Sequence, residues 1–336
     1  MNTRTLGTRG PAVSEIGLGL MGMSDFYGPA DEQESIRTIH AALEAGITLL
    51  DTGDFYGMGD NEMLLREALR GRKRENAFIE VKFGGLRAPS GPFIGFDARP
   101  ALLKTFLSYT LRRLHTDYID LYQPARLDPN VPIEDVVGAI AEMVKAGFVR
   151  HIGLSEVGAQ TIRKAHAVHP ITALQIEYSL MSRGVEAEIL PTLRELGIGM
   201  TAYGVLSRGL LSGNYSAKPG DFRTEASPRF QGENLEKNLQ LVQALKKIAS
   251  EKNATSSQIA IAWVLSRSQA TGVDIVPLIG ARRTTSLTES LGALQLRLTP
   301  ENLAAIEHAV PAEAVAGSRY DAHQMTLLDS ERGARP

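Results

Sequence analysis

Ile47-Thr48-Leu49-Leu50-Asp51-Thr52-Gly53-Asp54-Phe55-Tyr56-Gly57 is an apolar run that ends on a carboxylate and passes into a loop punctuated by glycine. Its apolar residues are consecutive rather than alternating, the pattern of a strand covered on both faces in a parallel sheet. The same form returns along the chain. Candidate strands are Val13–Leu18, Ile47–Asp51, Ala77–Lys82, Tyr118–Tyr122, His151–Ser155, Ala173–Glu177, Gly199–Tyr203 and Val273–Leu278. Helical patterns lie between them at Asp31–Ala45, Arg99–Leu114, Ile133–Ala146, Ala159–His169 and Val185–Leu196. Eight strand-then-helix units in 336 residues predict an α/β protein with a closed (β/α)8 TIM barrel rather than an open sheet.

Punctuation agrees with this division. Asp31 followed by Glu34 is a helix-start arrangement, and Gly46, Gly147 and Gly197 each follow a helical pattern. Thr3–Pro11, with Gly7 and Gly10, reads as the turn of an N-terminal β-hairpin plugging the barrel floor. A long polar loop, Ser207–Leu235, follows strand seven on the face where barrel enzymes keep their chemistry. Residues 1–311 thus read as one barrel domain. Residues 312–336 read as a tail that either covers the same mouth or stays disordered.

Composition removes several function classes. The 36 basic and 38 acidic side chains leave a formal charge of −2, no footprint for nucleic acid or for a membrane surface. The chain has no cysteine, so disulfides, thiolate metal sites and cysteine nucleophiles are excluded, and no metal site is expected. Met1–Glu15 lacks a basic head followed by an apolar run, and no segment is apolar enough to cross a bilayer, so a cytoplasmic enzyme is the expectation.

Gly17-Leu18-Gly19-Leu20-Met21-Gly22 satisfies the G-x-G-x-x-G dinucleotide pattern. Gly28 and Pro29 interrupt any helix that should follow, and no acidic residue about twenty positions on ends a second strand. These glycines are expected instead to let a loop approach a ligand closely.

Chemistry concentrates at consecutive strand ends. Asp51 and Tyr56 follow the second strand and Lys82 ends the third. A tyrosine with a pKa near 10 is a poor proton donor at neutral pH. A nearby ammonium favours its phenolate, and a carboxylate holds that ammonium. Singly, each residue has an ordinary structural reading as a turn cap or a packed side chain; their joint placement is what points to catalysis.

At these residues the chain resembles the aldo-keto reductases. Asp51-Thr52-Gly53-Asp54-Phe55-Tyr56-Gly57 is similar to that family's D-T-A-D-x-Y-G signature. Val81-Lys82-Phe83-Gly84, Gly153-Leu154-Ser155, Gln175-Ile176-Glu177-Tyr178-Ser179 and Leu278-Ile279-Gly280-Ala281-Arg282 fall in order where its later motifs fall. Arg229-Phe230-Gln231-Gly232-Glu233-Asn234 resembles the late loop of a microbial and plant branch. The resemblance implies hydride transfer from NADPH to an aldehyde or ketone, with Tyr56 as proton donor, Lys82 tuning it and Asp51 anchoring Lys82.

By position it also implies the cofactor residues. Ser155 and Gln175 would hold the nicotinamide carboxamide, Tyr203 would stack on the ring, and Gly19, Leu20, Met21 and Asp51 would line the ribose-nicotinamide region. Gly204, Leu206, Ser207, Arg208 and Gly209 would meet the pyrophosphate. Gly280, Arg282, Arg283 and Ser286 would take the adenosine 2′-phosphate, with Glu289 near adenine.

The family's fourth catalytic group, a histidine after strand four, is absent. This chain reads Tyr122-Gln123-Pro124-Ala125-Arg126-Leu127-Asp128, with Ala125 at that position. None of the seven histidines falls where it could substitute. A reductase with a roomier, less polar pocket is expected, walled by Met21, Phe26, Tyr27, Phe55, Phe93, Ala125 and Arg126. Some pyridoxal reductases carry a similar Ala-Arg pair. Candidate substrates are therefore an aromatic aldehyde such as pyridoxal, or a bulky cyclic ketone. The alternative is an NADPH-binding redox sensor resembling potassium-channel β subunits; a metal-dependent sugar isomerase would need more carboxylates and histidines at the mouth.

Overall fold

The computed structural model describes residues 1–216 and 221–332; positions 217–220 of the long loop and 333–336 of the tail lie outside the described residues. The N-terminal strands β1 (Thr3–Thr5) and β2 (Ala12–Ser14) pair antiparallel as a hairpin. The strands β3 (Gly17–Gly19), β4 (Leu49–Gly53) and β5 (Phe78–Phe83) follow. A second hairpin, β6 (Gly85–Arg87) with β7 (Phe93–Phe96), comes next. The chain then adds β8 (Ile119–Pro124), β9 (Val149–Ser155), β10 (Ala173–Glu177), β11 (Gly199–Tyr203) and β12 (Ile275–Gly280). Strands β3, β4, β5, β8, β9, β10, β11 and β12 close in that order into a parallel barrel.

Helices α1 (Glu32–Glu44), α2 (Asp60–Leu69), α3 (Pro100–Leu114), α4 (Ile133–Lys145), α5 (Ala159–Val168) and α6 (Ile189–Leu196) make the first six crossovers. After β11 come α7 (Phe222–Ala226), α8 (Gly232–Glu251) and α9 (Ser256–Thr271), and after β12 come α10 (Thr284–Leu291), α11 (Pro300–Ala309) and α12 (Ala322–Thr326). Local signals explain the boundaries. Asp31 Oδ1 accepts from Glu34 N at 2.7 Å, opening α1, and Gly197 closes α6 at φ 67°, which a side chain would resist.

One detail differs from the strand pattern. The apolar run Val13–Leu18 is divided: Val13 belongs to the hairpin, while Gly17 and Leu18 begin the barrel strand. A single apolar run cannot distinguish a floor plug from the wall it plugs. Gly17–Gly22 forms a strand end and a one-turn helix at Met21–Met23, so the glycine pattern opens no dinucleotide-binding helix.

Side chains inside the barrel lie in layers. Leu6 and Val13 of the hairpin pack with Leu49, Phe78, Leu121, Ala173, Val276 and Leu278 as an apolar floor. Above them Asp51, Glu80, Lys82, Gln123, Gln175 and Thr201 are buried and polar. The polar layer is at the carboxyl ends of the strands, where this fold gathers its loops. Among the described residues no helix is long and apolar enough to cross a membrane.

Candidate active site

Asp51 and Glu80 are register partners on β4 and β5, and Lys82, two residues on, shares the inward face of β5. Lys82 Nζ donates to Asp51 Oδ1 in a buried ion pair and stands 5.2 Å from the centre of the Tyr56 ring. Tyr56 follows β4 on a loop tied to its neighbours. Thr52 Oγ1 donates to Asn61 Oδ1 (2.7 Å), and Asn61 Nδ2 donates to Leu20 O (2.9 Å) and Ser24 Oγ (2.7 Å). Gly57 N donates to Asp25 Oδ2 at 3.1 Å, joining the loops after β3 and β4. Gly85 lets the Phe55 ring lie against the backbone, since a Cβ there would stand 2.7 Å from Phe55 Cδ1. Phe55 in turn meets Tyr56 edge-on at 4.9 Å.

Burial pushes the Tyr56 phenol up by more than the Lys82 ammonium pulls it down. This reverses the net shift expected from the ammonium alone, because desolvation penalises phenolate more strongly. Tyr56 therefore holds its proton at neutral pH. Burial opposes the Lys82 ammonium, but the charges of Asp51, Tyr56 and Glu80 and the hydrogen bond to Asp51 hold its pKa above the usual lysine value.

The structure distributes the sequence-predicted cofactor residues around this centre. Ser155 Oγ is buried at the end of β9 with no hydrogen-bond partner among the described residues. Gln175 is turned into the barrel, its Nε2 donating to Asp51 Oδ1 (2.8 Å) and Glu80 Oε1 (3.0 Å). Gly19 borders Asp51, and Leu20 N donates to Asp51 O at 2.9 Å. Tyr203 is half-buried, with its hydroxyl donating to Glu156 Oε1 (2.6 Å) and lying 2.9 Å from the Tyr320 hydroxyl.

After Gly204, at φ 66°, the turn Leu206-Ser207-Arg208-Gly209 holds Ser207 at φ 47° and Arg208 at φ 55°. Two successive non-glycine residues in the left-handed region are costly, and such turns cluster at ligand sites. The Arg208 guanidinium lies 4.2 Å over the Tyr320 ring and forms no ion pair among the described residues.

Gly280 ends β12 with open space where a Cβ would stand. Arg282 donates from Nη1 to Tyr27 O at 2.9 Å, and Arg283 is exposed at the N-cap of α10. The helix thus begins at Thr284, two residues beyond Arg282. Glu34 Oε1 already accepts from Thr284 N (3.0 Å) and Oγ1 (3.2 Å), so an acidic side chain shares the surface assigned to a phosphate. Ser286 is exposed and Glu289 half-buried on α10.

Phe55, Tyr56 and Ala125 form a separate apolar cluster with Met21, Phe26 and Phe96. Phe93 stacks on Phe26 at 6.0 Å and meets Phe55 at 5.6 Å, while Tyr27 packs on Phe222 at 5.1 Å. Arg87, paired with Asp25 at 3.2 Å, lies 4.5 Å over Phe93. The β6–β7 hairpin supplies Phe93 and Phe96, although Gly85–Gly95 has no readable strand pattern. Arg126 donates to Ala125 O (2.7 Å) and Tyr320 Oη (3.4 Å), with no ion pair among the described residues.

The tail supplies groups that the motif reading missed. Arg319 is buried between Glu156 (2.8 Å) and Glu177 (3.3 Å) and also meets Glu331 (2.7 Å). Burial alone would raise both buried acids, but Arg319 holds each below the usual carboxylate value, with Arg126 aiding at Glu156 and Arg229 at Glu177. Glu80 was missed as well. The available signal was a charged residue inside an otherwise apolar strand, two positions before Lys82.

The family model for the aldo/keto reductase family matches residues 15–311. "Probable aldo-keto reductase 1" of Glycine max is 42% identical over 318 residues, covering 94% of this chain and 90% of that protein. The structure of a glycerol dehydrogenase from Gluconobacter oxydans superposes with a TM-score of 0.81 at 28% identity, covering 91% of this chain and 94% of that one. An aldo-keto reductase of Bacillus halodurans, in its holo form, gives 0.78 at 28% identity, covering 96% and 99%. The chain belongs to the aldo-keto reductase family, oxidoreductases that act on carbonyl groups and typically use a nicotinamide cofactor.

Proposed function

We propose that this protein reduces an aldehyde or ketone to the alcohol with NADPH, and that Tyr56 delivers the proton. The observation that carries this reading is the buried Asp51–Lys82 pair set beside the Tyr56 ring. The cofactor supplies the hydride. The chain's own residues position the carbonyl, exclude water and keep a proton on Tyr56 Oη until charge develops on the substrate oxygen. Lys82 stabilises the phenolate left behind, and Asp51 keeps the buried ammonium paired.

The residues present suit a nicotinamide dinucleotide. The unpartnered Ser155 hydroxyl matches a carboxamide and the Tyr203 ring offers a stacking face. Arg208, which forms no ion pair among the described residues and lies on a strained turn, matches a pyrophosphate. Arg282 and Arg283, at the start of α10, favour a 2′-phosphate, whereas Glu34 opposes one; two guanidinium groups against one carboxylate favour NADPH. The phenylalanine walls and the small Ala125 suit a flat aromatic aldehyde or a bulky cyclic ketone.

The deciding measurement is NADPH oxidation against a panel of aldehydes and ketones, with the Tyr56→Phe variant alongside. Wild-type turnover should fall by about 10²–10⁴-fold in the variant, the usual worth of a positioned general acid. Turnover untouched by the substitution would sink the mechanism.

A further inference from the structure

Glu80 has no part in the reaction above, yet it is fully buried behind the Asp51–Lys82 pair. Its Oε1 accepts three hydrogen bonds, from Gln123 Nε2 (2.8 Å), Thr201 Oγ1 (2.9 Å) and Gln175 Nε2 (3.0 Å). Its Oε2 has none. Gln123 Oε1 is also buried without a donor among the described residues, and it belongs to a side chain already bonded to Glu80. Two orphaned acceptor oxygens on joined side chains are one donor short. A proton on Glu80 Oε2 supplies that donor.

Charge accounting points the same way. β4 faces Glu80 with Asp51, its own strand contributes Lys82, and β8, β10 and β11 contribute the neutral Gln123, Gln175 and Thr201. β9 brings Gly153 against Gln123, and its His151 lies against Phe78 with an imidazole whose pKa burial lowers. Lys82 is therefore one cation shared by two carboxyl groups, and Asp51 already pairs with it. A second buried carboxylate there lacks a counter-ion. Burial, followed by the Asp51 charge, pushes Glu80 up to about 7.

We propose that Glu80 is a protonated carboxylic acid in the resting protein and a positioning residue that sets the charge behind Lys82. Gln175 Nε2 bridges Glu80 and Asp51, so the neutral acid holds the pair without adding a second negative charge. When Glu80 ionises, the new charge strengthens the Lys82 ammonium and disfavours the Tyr56 phenolate. Tyr56 then keeps its proton to higher pH. This last link rests on the reaction proposed above; the proton on Glu80 does not.

The test uses Glu80→Gln, a permanent copy of the neutral form whose amide can donate to Gln123. A group whose folded pKa is raised loses its stabilising contribution as pH rises from its unfolded value of 4.5 to its folded value of about 7. The Tm advantage of E80Q over wild type should climb across that window and level above it; a flat difference overturns the proposal. Infrared difference spectroscopy of the wild type should show a carboxylic acid carbonyl band that titrates away near neutral pH and is missing in E80Q. If E80Q does not fold, the wild-type titration still decides, and absence of a band titrating there overturns the proposal. In carbonyl reduction, the basic limb of the kcat/KM profile should move to lower pH in E80Q. An unmoved limb overturns the link to Tyr56. Failure to reduce any carbonyl defeats the proposed reaction while leaving the unfolding and infrared results to judge Glu80.

Discussion

At the scale of single residues, the site depends on which polar groups are buried with partners and which without. Ala125 is buried against Tyr56 and Phe55, and in the proposed reaction an imidazole at that position would offer a hydrogen-bond donor to the substrate oxygen. Loss of one such donor typically costs about 10²–10³ in rate, so Ala125→His should speed reduction of small aldehydes. The added ring also fills the apolar cluster, so the same variant should lose bulky substrates. Comparing kcat/KM for a small and a large carbonyl checks both effects, and equal change on the two would show that volume is irrelevant. Arg282 is the corresponding residue in the proposed cofactor site. Arg282→Ala should weaken NADPH much more than NADH in a fluorescence titration, because only NADPH carries the 2′-phosphate; equal weakening would remove that assignment. Removing the opposing charge with Glu34→Gln should tighten NADPH selectively.

At the scale of elements, the C-terminal segment is fastened to the mouth by a buried cation. Arg319 joins Glu156, which follows β9, to Glu177, which ends β10, while Tyr320 reaches Tyr203 on β11. Replacing Arg319 with methionine keeps much of the side-chain bulk but leaves two buried carboxylates short of their counter-ion. Breaking such a pair from one side costs about 3–5 kcal/mol. Glu156 and Glu177 have folded pKa values below the unfolded 4.5, so their contribution is present above that pH and is lost as pH falls. The stability gap between wild type and Arg319→Met should therefore be widest at neutral pH and shrink in acid. Urea unfolding at two pH values measures it, and a gap that widens in acid would contradict the assignment.

At the scale of the whole molecule, the barrel interior combines an apolar floor with a polar layer above it. The floor requires the N-terminal hairpin, because Leu6 and Val13 fill space that the strands themselves leave open. Leu6 is fully buried. Leu6→Ala should cost about 2–5 kcal/mol, the range for buried leucine truncations. The floor is separated from the mouth by the polar layer, so the variant should lose denaturant resistance while keeping KM for carbonyl and cofactor. A rise in KM without loss of stability would show that the hairpin serves the site instead.

The eight-strand pattern, the placement of Asp51, Tyr56 and Lys82 at consecutive strand ends, and Ala125 in place of a histidine are all legible in the chain alone. Periodicity and strand-end position are local properties, and they survive in one dimension. The chain also marks the Gly17–Gly22 pattern as no dinucleotide helix, through Gly28 and Pro29. The electrical state of those residues emerges only in the folded barrel. Burial outweighs the ammonium at Tyr56, Glu80 shares Lys82 with Asp51, and Arg319 reaches Glu156 across 163 positions. Desolvation and ion pairing depend on which side chains the barrel brings together, and no spacing along the chain records that.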